Sequence, residues 1–182
     1  MAEKKKNALA EVAGPSAAGL RQAVAPAVRI DDDYYGWLRD EASALRDRDR
    51  VLSIDWEPLA EELDAMGRSE ESSLQSFLER LLKHLLKYAY QSDKITGSWE
   101  NSIEGSRLRI DILLKRSPSL KNKIGELFED AYRLARGEAG AEIGMRRREW
   151  DARLPETCPW PLETVLDAGF WPSPASGANG HN

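Results

Sequence analysis

The sequence predicts an all-α, single-domain bundle of about five main helices, closed by an irregular proline- and tryptophan-rich C-terminal strap. Three observations carry this reading. Between Leu59 and Tyr90, apolar residues recur at three- and four-residue steps, the period of one helix face. No segment shows the strict apolar–polar alternation of a half-buried strand. Prolines, glycines and capping residues punctuate the chain where helices of ordinary length would start and stop.

The long stretch comes first because the others are arranged around it. Leu74, Phe77, Leu78, Leu81, Leu82, Leu85 and Ala89 form its apolar face, Leu86 widens it, and Ser76, Lys83 and Lys87 lie opposite. So wide an arc suits a central helix touched by several neighbours. Upstream, Asp55 is a suitable N-cap, Pro58 fits a first turn, and Leu59, Leu63 and Met66 continue the apolar row. Gly67-Arg68-Ser69 combines a C-terminal glycine signal with a cap signal, so two helices nearly in line are preferred to one kinked helix.

Ahead of this stretch, Asp31-Asp32-Asp33 supplies a cap. Tyr34, Tyr35, Trp37, Leu38, Ala42 and Leu45 then trace a short amphipathic helix that ends in the alternating charges of residues 46–50. Its aromatic front end is better suited to docking on the bundle than to holding a ligand. After the polar turn Gln91 to Gly97, Ser98 is the expected cap of the next helix. There Trp99, Ile103, Ile110, Leu113 and Leu114 share one face, while Leu108 and Ile112 form a second, implying contact on both sides. Ser117-Pro118 ends it and opens a fifth helix with Leu120, Ile124, Leu127, Phe128, Ala131, Leu134 and Ala135 buried, running toward Arg148 with Met145 on the same face. Three prolines within residues 155–161 forbid regular structure there. A short helix over 162–167 follows, and Trp150, Trp160, Phe170 and Trp171 anchor the strap. Residues 1–29 are expected to be a disordered Ala-rich arm, 30–172 the bundle, and 173–182 a disordered tail.

Composition narrows function mostly by exclusion. No window approaches the roughly 18 apolar residues of a membrane span, and the start lacks a signal-peptide core, so a cytoplasmic protein with no membrane association is expected. Cys158 is the only cysteine among 182 residues, which excludes an intramolecular disulfide and a cysteine-based zinc site. There are two histidines, His84 and His181. A net charge of −5 argues against general nucleic-acid binding. A weak nucleic-acid role through Lys4 to Lys6 and Arg146 to Arg148 is the third-ranked alternative, since the arginine run reads better as a solvated helix end.

Several runs fall in a recognisable order: residues 60–70, His84 to Tyr88, Ser98-Trp99 with Arg107, Pro118 to Lys121, Leu154 to Pro159, and Phe170-Trp171-Pro172. Together they resemble the bacterial family known as domain of unknown function 29, over about residues 33–172. The resemblance implies an all-helical fold and brings no catalytic residues. The chain departs from the family pattern in its Ala-rich arm and in the basic segment 146–153.

Four polar residues sit in or near apolar faces: Glu62, Glu70, His84 and Arg107. They are read as a structural polar network, because a buried charge must be paired. The rival reading makes them catalytic, with Glu62, Glu70 and His84 supporting metal-assisted hydrolysis. On one continuous helix Glu70 and His84 are separated by about 21 Å of rise, too far for one metal. No phosphate loop, His-Glu-x-x-His motif, nucleophile elbow or CxxC occurs, so neither cofactor nor metal is expected. The leading expectation is a non-enzymatic module acting on an unidentified protein partner, with Trp37, Trp150, Trp160 and Trp171 as interaction candidates.

Overall fold

The computed structural model describes residues 28–46, 57–144 and 146–174, and these residues form helices and connecting turns with no strand. Most of the expected N-terminal arm, the cap at Asp55, Met145 and the tail beyond residue 174 lie outside the described residues. The elements are α1 (Tyr34–Arg46), α2 (Glu57–Tyr90), α3 (Gly97–Arg116), α4 (Ile124–Glu142), α5 (Arg147–Arg153) and α6 (Leu162–Leu166), with 3-10 turns at Ser92–Lys94 and Pro118–Asn122. Helix α2 is the centre, packed by α1, α3 and α4. Its Leu74, Leu78, Leu81, Leu82, Leu85 and Leu86 are fully buried, as the apolar arc requires.

The expected break at Gly67 does not occur: α2 runs 34 residues without interruption. Gly67 is buried instead because α1 lies across it. A Cβ at this position would be 3.6 Å from the ring of Tyr35 and 3.7 Å from Arg39. Leu59 and Met66, read from the period as buried, are exposed, whereas Ala60 is fully buried. The reason is size. In this half of α2 the small residues Ala60 and Gly67, one heptad apart, mark the seam where α1 comes close, and the larger apolar side chains point away. Tyr35 to Glu71 and Arg46 to Asp64 fix α1 antiparallel to this half. Burial, and then the hydrogen bond to Glu71, push the Tyr35 phenol up to about 12.

Asp33 does the work expected of the acidic run. Its carboxylate accepts from the Gly36 N–H at 3.0 Å, capping α1, and also from the Ser119 N–H at 2.8 Å and the Ser119 hydroxyl at 3.0 Å. One side chain thus closes the start of α1 and ties it to the corner after α3. Three other boundaries differ from expectation. Thr96, not Ser98, precedes α3, and no side chain caps it. The predicted fifth helix is divided into a 3-10 turn, α4 and α5, because the α-helix starts only at Ile124 and ends at Glu142 before Gly144, which has positive φ. The second apolar face of α3 is left uncovered, with Leu108 and Ile112 exposed.

Two substitutions test this packing. The gap at Gly67 admits a methyl at ordinary van der Waals distance, and alanine is the better helix former. Gly67→Ala is therefore expected to raise the thermal midpoint, by up to about 1 kcal/mol of stability. Asp33→Ala, which leaves three donors without their carboxylate, is expected to lower stability by about 2 kcal/mol. Paired thermal melts check both, and a Gly67→Ala variant less stable than wild type would mean that α1 packs closer than described.

Candidate functional site

The four polar residues singled out from the sequence are held by different partners. Glu62 is exposed on α2. Glu70 accepts from Arg116 at 2.7 Å and from the Ser117 hydroxyl at 3.4 Å, joining α2 to the end of α3. The His84 Nδ1 is 2.8 Å from the Arg80 carbonyl of its own helix. Arg107, 6% exposed, donates from Nε to the Val165 carbonyl at 2.9 Å and from Nη2 to the Phe170 carbonyl at 2.8 Å, with Ala168 at 3.5 Å. No hydrogen bond or ion pair joins any two of these four described residues. Among the described residues no group of three or more His, Cys, Asp or Glu side chains is placed to hold a metal ion, so Glu62, Glu70 and His84 do not make a metal centre.

Arg107 is the fastener of the strap. Its fork reaches backbone carbonyls at and after α6, where a helix end leaves acceptors unpaired. Its guanidinium also lies 5.7 Å from the Trp171 ring, which in turn packs at 5.3 Å on Tyr88 of α2. Burial draws the Arg107 pKa downward, against the nearby charges of Asp167 and Glu104. At the other end, Arg136 donates to the Leu154 carbonyl at 3.0 Å and the Tyr132 hydroxyl to the Pro155 carbonyl at 2.7 Å. The strap therefore crosses from α4 to α3 and α2 on three donors that the proline-rich segment cannot supply for itself.

A second polar set was not foreseen. Lys87, expected on the solvent side, is 7% exposed; it donates to Glu142 at 2.6 Å and lies 4.3 Å over the Trp99 ring. Lys83 bridges Glu138 at 2.8 Å and Glu142 at 3.1 Å. The matched i,i+4 spacing of Lys83 and Lys87 on one helix, and of Glu138 and Glu142 on another, was the available signal. The Lys87 hydrogen bond is the main cause holding the Glu142 carboxyl below its usual range, while burial and then Glu138 raise that of Glu79. These groups join α2 to α4.

Between α4 and the strap lies a cleft of about 810 Å³, lined by Phe128, Tyr132, Arg136, Cys158 and Trp160 among others. Burial raises the Cys158 thiol and the Tyr132 phenol, so neither is ionised near neutrality. Trp160 packs edge-on against Phe170 at 5.8 Å, and Trp171 on Tyr88; both are half-buried, as is Trp37. The side chain of Trp150, in α5, lies outside the described set. Arg146 is paired with Glu149, three residues on, and Lys4 to Lys6 lie outside the described residues. The outer face of α3 is different in kind. Leu108 is 59% and Ile112 55% exposed, one turn apart, with exposed Glu104 and Lys115 beside them.

Replacing Arg107 with Met is expected to cost about 3 kcal/mol, because three strap carbonyls lose a charged donor. Hydrogen exchange across residues 165–171 should rise with it, and Arg107→Lys should not rescue, since an ammonium cannot reproduce the fork. Stability also depends on pH through His84. Burial holds the His84 imidazole below its ordinary value, with the bond to the Arg80 carbonyl opposing and Lys87 and Lys83 adding to the effect. The unfolded chain then takes up the proton first as the pH falls. Stability from this group is complete above about 6.5 and is lost as the pH drops through the folded value. His84→Gln should flatten the melting midpoint just below pH 6.5, leaving the carboxylate-driven loss at lower pH; an unchanged profile would refute the assignment.

Two comparisons agree with this architecture. A crystal structure of an alpha-helical protein of unknown function from Rhodospirillum rubrum is similar to the chain at 25% identity and a TM-score of 0.60, over 79% of this chain and 92% of that one. None of the curated proteins is significantly similar to it. The family model described as Domain of unknown function DUF29 matches residues 30–171, the whole of the helical core and its strap, and the chain belongs to that family.

Proposed function

We propose that this protein is a non-enzymatic helical module that acts through contact with another protein. The observation that supports this is the outer face of α3, where Leu108 and Ile112 stand exposed on a helix whose other apolar face is fully used by the core. Large aliphatic side chains in adjacent turns cost solvation when left in water and gain it back when a partner covers them. The tryptophans favoured from the sequence contribute differently: Trp160 and Trp171 are spent largely on anchoring the strap. Two features weigh against the hydrolase alternative. Glu62, Glu70 and His84 are dispersed, and the thiol and phenol in the cleft are held protonated. No helix among the described residues is long and apolar enough to cross a membrane, so the exposed pair is not part of a spanning segment.

A photo-reactive residue placed at Leu108 or Ile112, with exposed Glu61 on α2 as control, tests the reading in cells. Protein adducts are expected at the two α3 positions and not at the control. Leu108→Asp should abolish association and leave the thermal midpoint nearly unchanged, within about 0.5 kcal/mol, as suits an exposed site. Absence of adducts at both α3 positions would overturn the proposal.

A further inference from the structure

The α3 face carries a pattern that selects its partner. Along its exposed stripe the order is Glu104, Leu108, Ile112 and Lys115: an acid, two aliphatics and a base. Glu104 and Lys115 are eleven residues apart, about three turns, so they lie on the same flank of the stripe. The midpoint between them falls within one residue of the midpoint between Leu108 and Ile112. A helix laid antiparallel on this face about that point, with a two-fold axis in the interface, meets its own sequence reversed. Such an axis keeps each flank beside the same flank of the other copy. Leu108 then faces Ile112, and Glu104 faces Lys115, twice over.

We infer that α3 pairs antiparallel with α3 of a second copy of this chain, Leu108 of each against Ile112 of the other and Glu104 beside Lys115; this pairing rests on the interaction reading above. Gly105 is covered from its own helix by Arg109, which donates to the Gly105 carbonyl at 3.1 Å. Lys115 also holds Asp111 of its own helix at 2.7 Å, and an ammonium with three donors serves both carboxylates. A parallel pairing, whose two-fold runs along the helices, sets the two charged flanks on opposite sides of the interface, so neither Glu104 nor Lys115 meets an opposite charge. The mixed-sign face is thus self-complementary in one direction alone. The apolar centre is small, so the association is weak and concentration-dependent.

Sedimentation equilibrium of the full chain from about 1 μM to about 500 μM tests this. The apparent mass should rise from monomer toward dimer, and Leu108→Asp should stay monomeric with unchanged helical content. Glu104→Lys should weaken association roughly tenfold, and Glu104→Lys with Lys115→Glu should restore it, because both positions are exposed and the swap only reverses the pair. A monomer throughout, a dimer indifferent to Leu108→Asp, or a double swap that fails to restore would overturn the pairing. Crosslinking at Leu108 separates the two levels. Adducts of the chain with itself support the pairing. Adducts with another protein overturn it but leave the interaction reading standing, and no adduct overturns both.

Discussion

An unbroken helix of 34 residues is about 51 Å long, and no other helix among the described residues matches it. The longest alternative, α3, has 20 residues and spans about 30 Å. The apolar seam of α2 must therefore be covered in pieces, and the rest of the architecture follows from how this is done. The 13-residue α1 folds back over the first half, where Ala60 and Gly67 give it room. Helices α3 and α4 flank the second half, where the leucines are dense. The seam changes character along its length, small residues under a close-packed short helix and large ones between two longer helices. A single helix can accommodate both because side-chain size, not backbone geometry, sets each neighbour's distance.

Covering one helix with separate pieces creates junctions, and each junction is closed by a charged side chain acting on more than one element. Asp33 joins the start of α1 to the turn after α3. Glu70 joins α2 to Arg116 and Ser117 at the end of α3. Lys83 and Lys87 join α2 to α4 through Glu138 and Glu142. Arg107 and Arg136 hold the strap at its two ends. Asp33, Glu70, Lys83, Lys87, Arg107 and Arg136 are themselves partly or wholly buried, while their partners Arg116, Glu138 and Glu142 are exposed, so removing a partner leaves a partly desolvated charge behind. Of the polar residues that draw the eye as a catalytic set, Glu70 and Arg107 are joints of this kind, His84 bonds within its own helix, and Glu62 is solvated surface.

Once the joints are assigned, the apolar residues of α3 that no element of the described fold covers stand out. Its inner face is used by the core and its outer face keeps Leu108 and Ile112 in water, between an acid toward one end and a base toward the other. The proposed interaction surface therefore lies on a regular helix, away from the strap and its cleft. A helix face of this kind keeps its side-chain positions on binding, which lowers the entropy cost of association.

Much of the fold was legible in the residues. The period of Leu74 to Ala89 gave the central helix and its buried arc, Asp33 its capping role, and the prolines of 155–161 the irregular strap, because each of these depends on local geometry or on one face's average polarity. Family motifs spread from residue 60 to residue 172 were readable for the same reason. What the residues alone left open was long-range. Gly67 is compatible with a helix end or with a helix crossed closely by another, and only the position of Tyr35 decides between them. Lys87 carries the same charge whether it faces water or Glu142, and the fate of Arg107 depends on carbonyls some sixty residues away. Leu108 and Ile112 look like a second core face until the fold shows that nothing in its described part covers them. A helix period says which side chains travel together; which neighbour each face meets is settled only by the packing of the whole chain.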